Sequence, residues 1–506
     1  MNTDKIIIVG GGSAGWMTAS TLIKAFPEKD ITVIESPKVA TVGVGESTLA
    51  RIRLWTKFLE IDEKDFLKQT DGIYKQSIKF TDFYEKGEAF HYPFGYANVD
   101  DNVADTNDWW FKKELFPTTP NSDYADCMFP VMALVNESKM TDSFYDHDIR
   151  TDSAFHFDAT KFGLWLRDNY CLPRGVKHIQ EDITDIETDE DGIKSLNGKH
   201  KADLFVDCTG FKSMLLGETL KEPFESLEDK LPNKSAWATR IPYTDKEEQL
   251  KPDTNCTAIE NGWVWNIPLW NRVGTGYVYS DKFVDDDTAL EEFKKHLGRD
   301  DLEFKNIKMR TGIHRRLWVK NVAAVGLSAG FIEPLESNGL FSVHEFVIEL
   351  VRNMRRGKVS QWDKDNYTSK CKNMYYIFSE FVGAHYALSH RDDTEYWKAN
   401  NNKEWSSDMI EWTSKNRGYP LFANQRNFNY VYPYKDGEGF HCIAAGMNWA
   451  PTDLTTLKYY NLWNYREVYE SKIGCIANLN KKKYKWKEDA MNLPSVLDYL
   501  KENIYK

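Results

Sequence analysis

Lys5-Ile6-Ile7-Ile8-Val9-Gly10-Gly11-Gly12-Ser13-Ala14-Gly15 decides how this chain folds. Four successive β-branched residues predict a strand buried on both faces, and the glycines end it at once. Residues 13–26 carry apolar side chains at helical spacing, and residues 31–35 form a second apolar run ending at Glu35. Strand, glycine turn, helix and strand make one βαβ unit, with G-x-G-x-x-G met at Gly10, Gly12 and Gly15. The first glycine permits the tight turn, the second lets backbone approach a pyrophosphate, and the third lets helix and strand pack closely. Ser13 and Ala14 open the helix, whose free N–H groups and partial positive charge suit phosphate oxygens. Glu35 stands where an acidic side chain binds a ribose hydroxyl. The fold class is therefore α/β with a Rossmann-type dinucleotide module, although a glycine turn kept for packing alone would look the same.

Outward from this unit, residues 45–70 read as largely helical and 74–84 as a strand. Residues 87–150, rich in Asp, Asn, Pro and aromatics, read as an insertion of short helices and loops. A helix is predicted over 158–170 with Asp158 as its N-cap. Short strands alternate over 175–210 and dominate 236–278, and a buried strand at 322–325 feeds a glycine turn and the helix after Gly339. From Trp362 onward the pattern is mostly helical. No repeat or low-complexity linker interrupts it. The expected organisation is a nucleotide-binding module over 1–360, with the insertion at 87–150, and a mainly helical region over 361–506 covering a substrate site.

With 506 residues the chain can bury a large core, and its net charge of −12 argues against non-specific nucleic-acid binding. Seven cysteines, at 127, 171, 208, 256, 371, 442 and 475, are scattered without a CxxC pair. That pattern suggests reduced thiols in a cytoplasmic protein, and no metal is expected. The first strand begins after only four residues, which is not a secretory signal, and no run of 18 apolar residues predicts a membrane span. Aromatics make up 14% of the chain, with 17 Trp. Much of that is core, but it also suits a pocket for a flat ring.

Five stretches then share an order. They are Gly10-Gly11-Gly12-Ser13-Ala14-Gly15-Trp16-Met17; Gly43-Val44-Gly45-Glu46-Ser47-Thr48; Tyr74-Lys75-Gln76-Ser77-Ile78-Lys79-Phe80; Trp263-Val264-Trp265-Asn266-Ile267-Pro268; and Gly330-Phe331-Ile332-Glu333-Pro334-Leu335-Glu336-Ser337-Asn338-Gly339. Together they resemble the flavin-dependent halogenases of the tryptophan type, the two tryptophans before Ile-Pro being the most specific element. Asp207-Cys208-Thr209-Gly210 and Gly326-Leu327-Ser328-Ala329-Gly330 resemble the segments that close an FAD site in the single-component monooxygenase fold. That fold usually has Asp after the later glycine, where this chain has Leu327.

The resemblance implies oxidation of a halide (chloride, bromide or iodide) by FADH2 and O2 to hypohalous acid, which halogenates an electron-rich aromatic. It implies Lys75 as the residue presenting the oxidised halogen, by hydrogen bond or as a haloamine, and Glu336 as the second catalytic residue. By the same resemblance FAD is held by Gly10, Gly12, Ser13, Ala14, Gly15, Glu35, Gly326 and Ser337, and halide by the backbone N–H groups of Asn338 and Gly339. Trp263, Trp265, Phe94, His91, Phe440 and His441 are the expected pocket residues. By pattern alone Lys79 rivals Lys75, Glu333 rivals Glu336, and Ser47 or Thr48 reads equally as a helix cap.

Relatives that take free tryptophan grip its charged end with polar residues. Here Phe440, His441 and Met447 stand instead, so indole- or phenol-like rings without the amino-acid clamp are the expected substrates. No second G-x-G-x-x-G marks an NADPH domain, so a separate flavin reductase is the expected partner. Neither nucleic acid nor membrane is expected, and self-association stays open. An FAD aromatic monooxygenase is the main competing reading; a flavin-binding redox or scaffolding protein without turnover is the third.

Overall fold

The computed structural model describes residues 1–38, 45–98, 106–401, 438–448 and 465–506. They divide into two compact units, each drawn from three stretches of sequence: 1–73, 155–242 and 269–379 in unit 1, and 74–154, 243–268 and 380–506 in unit 2.

Unit 1 is built on a six-stranded sheet, in the order Lys177–Gln180, Asp30–Glu35, Lys5–Val9, Leu204–Asp207, Val322–Ala324, Trp318–Val319. The first five strands are parallel and the last is antiparallel. Burial on both faces explains the continuous apolar run: Ile6, Ile8, Leu204, Phe205, Val206 and Val322 are wholly excluded from solvent. The helix Ser13–Ala25 follows the glycine turn as expected. Asp158 caps the helix Ala159–Trp165 by accepting from the Thr160 and Lys161 amides, and a wider π turn continues it through Leu166–Cys171.

The helical expectation over 45–70 needs correction at its start. Gly45–Ser47 is a strand, paired antiparallel with residues 156–158, and the helices run only over Ile52–Leu59 and Glu63–Gln69. Neither Ser47 nor Thr48 is a helix cap. Thr48 Oγ1 donates to the Phe155 carbonyl and accepts from the Phe155 amide, both at 2.9 Å, and Arg51 occupies the cap position.

Unit 2 contains a four-stranded layer in the order Gly262–Pro268, Asp253–Ile259, Ser77–Thr81, Ala89–Pro93. Its middle pair is parallel and the outer pairs are antiparallel. The strand expected over 74–84 is split at Gln76 into Ile73–Lys75 and Ser77–Thr81. The expectation of helices and loops over 87–150 needs correction, because the region opens with the sheet strand Ala89–Pro93 and carries the small hairpin Ser143–Phe144 and His147–Asp148, with short helices over Thr106–Leu115, Asp123–Met128, Val131–Asn136 and Ile149–Asp152. The C-terminal part is helical over Gln361–Ala387, Glu395–Asn401, Glu438–Gly446, Tyr465–Met491 and Val496–Asn503. None of the seven cysteines forms a disulfide. No described helix is long and apolar enough to cross a membrane.

Candidate active site

In unit 1 the glycine loop divides its labour. Gly10 has φ +115°, and a Cβ there would lie 2.2 Å from the Cys208 carbonyl oxygen; one on Gly15 would lie 1.9 Å from the Gly10 carbonyl oxygen. A Cβ on Gly12, by contrast, meets nothing within 4 Å. Gly10 and Gly15 are thus required by packing, while Gly12 fronts open space at the start of a helix that has no acidic residue in its first turn. Ser13 and Ala14 begin that helix, so its first amides face the same opening, and these residues fit a dinucleotide's phosphates.

Glu35 ends the second strand as expected. Its Oε1 accepts from His178 Nε2 at 2.7 Å, and Arg167 Nη1 lies 4.0 Å away. Its Oε2 occupies the place a Gly11 side chain would take, 1.5 Å from the ideal Cβ. The sequence reading missed Gly11, though three glycines in a row were the available signal. Gly326, with φ +71°, brings its turn within 2.8 Å (ideal Cβ to Ala14 Cβ) of the nucleotide loop, while Leu327 beside it is exposed.

The segment after Gly330 is almost wholly buried. Glu333 and Glu336 are both excluded from solvent. Glu333 accepts from Asn233 Nδ2 at 2.8 Å, which gives it a structural anchor. Ser337 adopts a left-handed conformation, φ +55°, and its Oγ lies 3.0 Å from Ser47 Oγ, joining the Gly45–Ser47 strand to this segment. The helix Asn338–Met354 starts there with no side-chain cap and no acidic residue in its first turn. A Cβ on Gly339 would meet nothing within 4 Å. Uncapped amides at a 17-residue helix start favour an anion. Arg51 ties the residues after Gly45–Ser47 to the same helix, donating to both oxygens of Glu345 at 2.6 and 3.1 Å. Burial opposes ionisation of Glu345, but hydrogen bonds from His344 and Arg51 outweigh it and hold the carboxyl at about 2. Glu46 behaves oppositely: burial, helped by the Asp158 charge, pushes it up to about 7.

In unit 2, Lys75 is fully buried with Nζ 4.9 Å from the centre of the Phe94 ring, a cation–π distance. Lys79 is partly exposed and pairs in register with His91. His91 lies 3.1 Å from Ser77 Oγ, and burial with the Lys79 charge pushes it down to about 3, so it is neutral. Trp263 and Trp265 share one face of their strand, with ring centres 6.2 Å apart. Register carries this across the layer: Trp265 sits opposite Cys256, Cys256 opposite Phe80, and Phe80 opposite Phe90. His91 lies in the neighbouring row, hence on the other face.

The helix Glu438–Gly446 rests on the strand Ala89–Pro93 through two glycines. A Cβ on Gly439 would lie 2.6 Å from Tyr92 Cζ, and one on Gly446 2.1 Å from the Phe90 ring. Sequence reading passed over this pair, seven residues apart in a helical stretch. His441 is buried on that helix and pushed down to about 4. The Phe440 side chain lies outside the described residues, as do Gly43 and Val44.

A Rossmann-type loop with an open phosphate-facing glycine, together with the Trp-x-Trp strand and the buried Glu336 segment, defines a flavin-dependent halogenase. The tryptophan halogenase family model matches residues 5–457. Tryptophan 6-halogenase SttH of Streptomyces toxytricini is 36% identical over 424 residues, 78% of this chain and 80% of the relative. Its solved structure superposes with a TM-score of 0.83 at 31% identity, covering 98% of this chain and 99% of that one. Tryptophan 7-halogenase RebH of Lentzea aerocolonigenes is 30% identical over 531 residues, 99% of this chain and 98% of the relative. BrvH, a flavin-dependent halogenase from Brevundimonas sp. BAL3, gives a TM-score of 0.83 at 27% identity over 99% of each chain. The chain belongs to the tryptophan halogenase family, an enzyme family that works with flavin and halide.

Proposed function

We propose that this enzyme uses FADH2 and O2 to halogenate an electron-rich indole- or phenol-like ring through Lys75 and Glu336. Bound reduced FAD would supply, with O2, the oxidation of halide to hypohalous acid. Gly10, Gly12, Ser13, Ala14, Gly15, Glu35, Gly326 and Ser337 would hold the flavin, and the Asn338 and Gly339 amides the halide. Lys75 then presents the oxidised halogen to the ring, and Glu336 accepts the ring proton, so that arene and hypohalous acid become haloarene and water. Trp263, Trp265 and Phe94 wall the ring together with His441, whereas His91, on the opposite face of its strand, stands outside that wall. Residues 1–360 are proposed as the nucleotide module, 361–506 as cover for the substrate site, and a separate reductase as the source of FADH2.

The burial of Lys75 against Phe94, where Lys79 stays partly exposed, carries this reading. A lysine is rarely buried without a specific task. SttH and RebH are named for tryptophan. A neutral His441 and a buried Met447 supply no charge for an amino acid's ionic end, which supports simpler rings here.

The test supplies FADH2 from a reductase with chloride, bromide or iodide, and offers free tryptophan beside simple indoles and phenols. Products are read by the halogen isotope pattern, which hydroxylation does not give. Lys75→Ala is expected to lower halogenation at least about 10³-fold while flavin oxidation continues, and Lys79→Ala to stay within a few-fold of wild type. Halogenation surviving in Lys75→Ala would remove the lysine assignment. Efficient, regioselective use of free tryptophan would remove the substrate assignment.

A further inference from the structure

Gln76, between Lys75 and Ser77, is wholly buried, and neither its amide nitrogen nor its amide oxygen has a hydrogen-bond partner among the described residues. Its backbone is fully engaged: the N–H donates to the Pro252 carbonyl at 2.6 Å, and the carbonyl accepts from the Phe94 amide at 2.8 Å. The residue is therefore fixed in register while its polar side chain is unsatisfied. A buried donor or acceptor without a partner costs about 1–3 kcal/mol, and an apolar residue of the same shape would avoid that cost. Packing alone does not account for a glutamine here.

Register identifies the face it belongs to. Gln76 stands across from Phe94, and two residues on Ile78 pairs with Tyr92. Two further on, the row Phe90, Phe80, Cys256, Trp265 crosses the layer. Alternation puts Gln76 on the face of Tyr92 and the two tryptophans and away from His91 and Lys79. A carboxamide thus enters a face of mainly apolar and aromatic side chains, with Thr254 opposite Ile78 on it, and Phe94, the residue across from Gln76, is the one whose ring lies 4.9 Å from Lys75 Nζ.

We propose that Gln76 is a specificity-determining contact to the arene, and that it selects a neutral substituent that both donates and accepts a hydrogen bond, a phenolic hydroxyl being the smallest. The carboxamide offers an acceptor oxygen and two N–H donors. An indole N–H satisfies only the oxygen, and a carboxylate only the nitrogen. A phenol O–H donates to the oxygen and accepts from the nitrogen at once, while its ring is strongly activated toward electrophilic halogen. The inference rests on the reading of Lys75 as the residue that delivers halogen.

The test compares 2-naphthol with 2-methoxynaphthalene, of which only the first can donate; because the free naphthol ring is itself the more reactive, affinity and the change on substitution are the deciding readouts. Wild type, Gln76→Met and Gln76→Leu are supplied with FADH2 and bromide. Arene affinity is measured separately by calorimetry, and melting temperature checks the fold. Wild type should favour the naphthol about tenfold or more in kcat/KM and in affinity. Gln76→Met should lose that preference, falling about tenfold on naphthol and staying within about threefold on the ether, with a melting temperature equal or higher. Gln76→Leu should do the same. A wild type with no preference in either readout, or a Gln76→Met protein that loses both arenes alike or neither, overturns the proposal. Lys75→Ala run alongside separates the two failures: halogenation persisting there defeats the underlying reading, whereas a silent Lys75→Ala with an unchanged naphthol preference in Gln76→Met defeats the Gln76 assignment alone.

Discussion

Lys75 and Lys79 lie four residues apart and end in different surroundings, one under an aromatic ring and the other partly exposed beside a neutral histidine. Sequence pattern could not separate them, because burial at one position depends on strands that arrive from residues 89–94 and 253–259. The same holds for Glu46. Nothing in Gly-Glu-Ser-Thr announces a carboxyl raised from 4.5 to about 7; burial does that, helped by the Asp158 charge on the strand it pairs with. The folded protein holds this proton more tightly than the unfolded chain. The stabilisation is therefore complete below about pH 4.5 and is lost as pH rises through 7. Glu46→Gln should abolish that loss. Wild type should melt progressively lower than the variant between pH 5 and 8, and at pH 8 the variant should be more stable by roughly 1–3 kcal/mol. Parallel pH profiles for the two proteins would show that Glu46 does not titrate in this range.

Elements whose signal is local were legible: the first βαβ unit, the Asp158-capped helix and the C-terminal helices all carry their determinants within a few residues. Elements made by distant partners were not. Gly45–Ser47 is extended because it pairs with residues 156–158, and the break at Gln76 is held by Pro252 and Phe94. Within the nucleotide loop, structure also separates glycines that the motif treats alike. Gly12→Val adds a side chain where nothing stands within 4 Å, so its melting temperature should stay within about 2 °C of wild type while FAD affinity falls at least about tenfold. Gly15→Ala forces a carbon against the Gly10 carbonyl and should lower the melting temperature by several degrees, on the order of 1–3 kcal/mol. FAD fluorescence titration and thermal melts would check the contrast. Equal loss of stability in both variants would mean that Gly12 is also a packing glycine.

At the scale of the whole molecule, neither compact unit is a continuous piece of chain, and single-pass reading of composition had no means to expose that interleaving. The proposed flavin and halide residues, from Gly10 to Gly339, all fall in unit 1. The proposed halogen-delivery and ring-binding residues Lys75, Phe94, Trp263, Trp265 and His441 all fall in unit 2. Flavin affinity should therefore report on the first set, and halogenated product formed per flavin oxidised on the second. Trp265→Leu puts the distinction to work, because its ring is partly exposed and its removal leaves the buried Trp263 in place. Its flavin affinity should remain within about twofold of wild type. Its product yield should fall severalfold, with hydrogen peroxide rising to match the oxidant that no longer reaches a ring. A Trp265→Leu protein whose flavin affinity declines in step with its yield would instead make this tryptophan part of the flavin site.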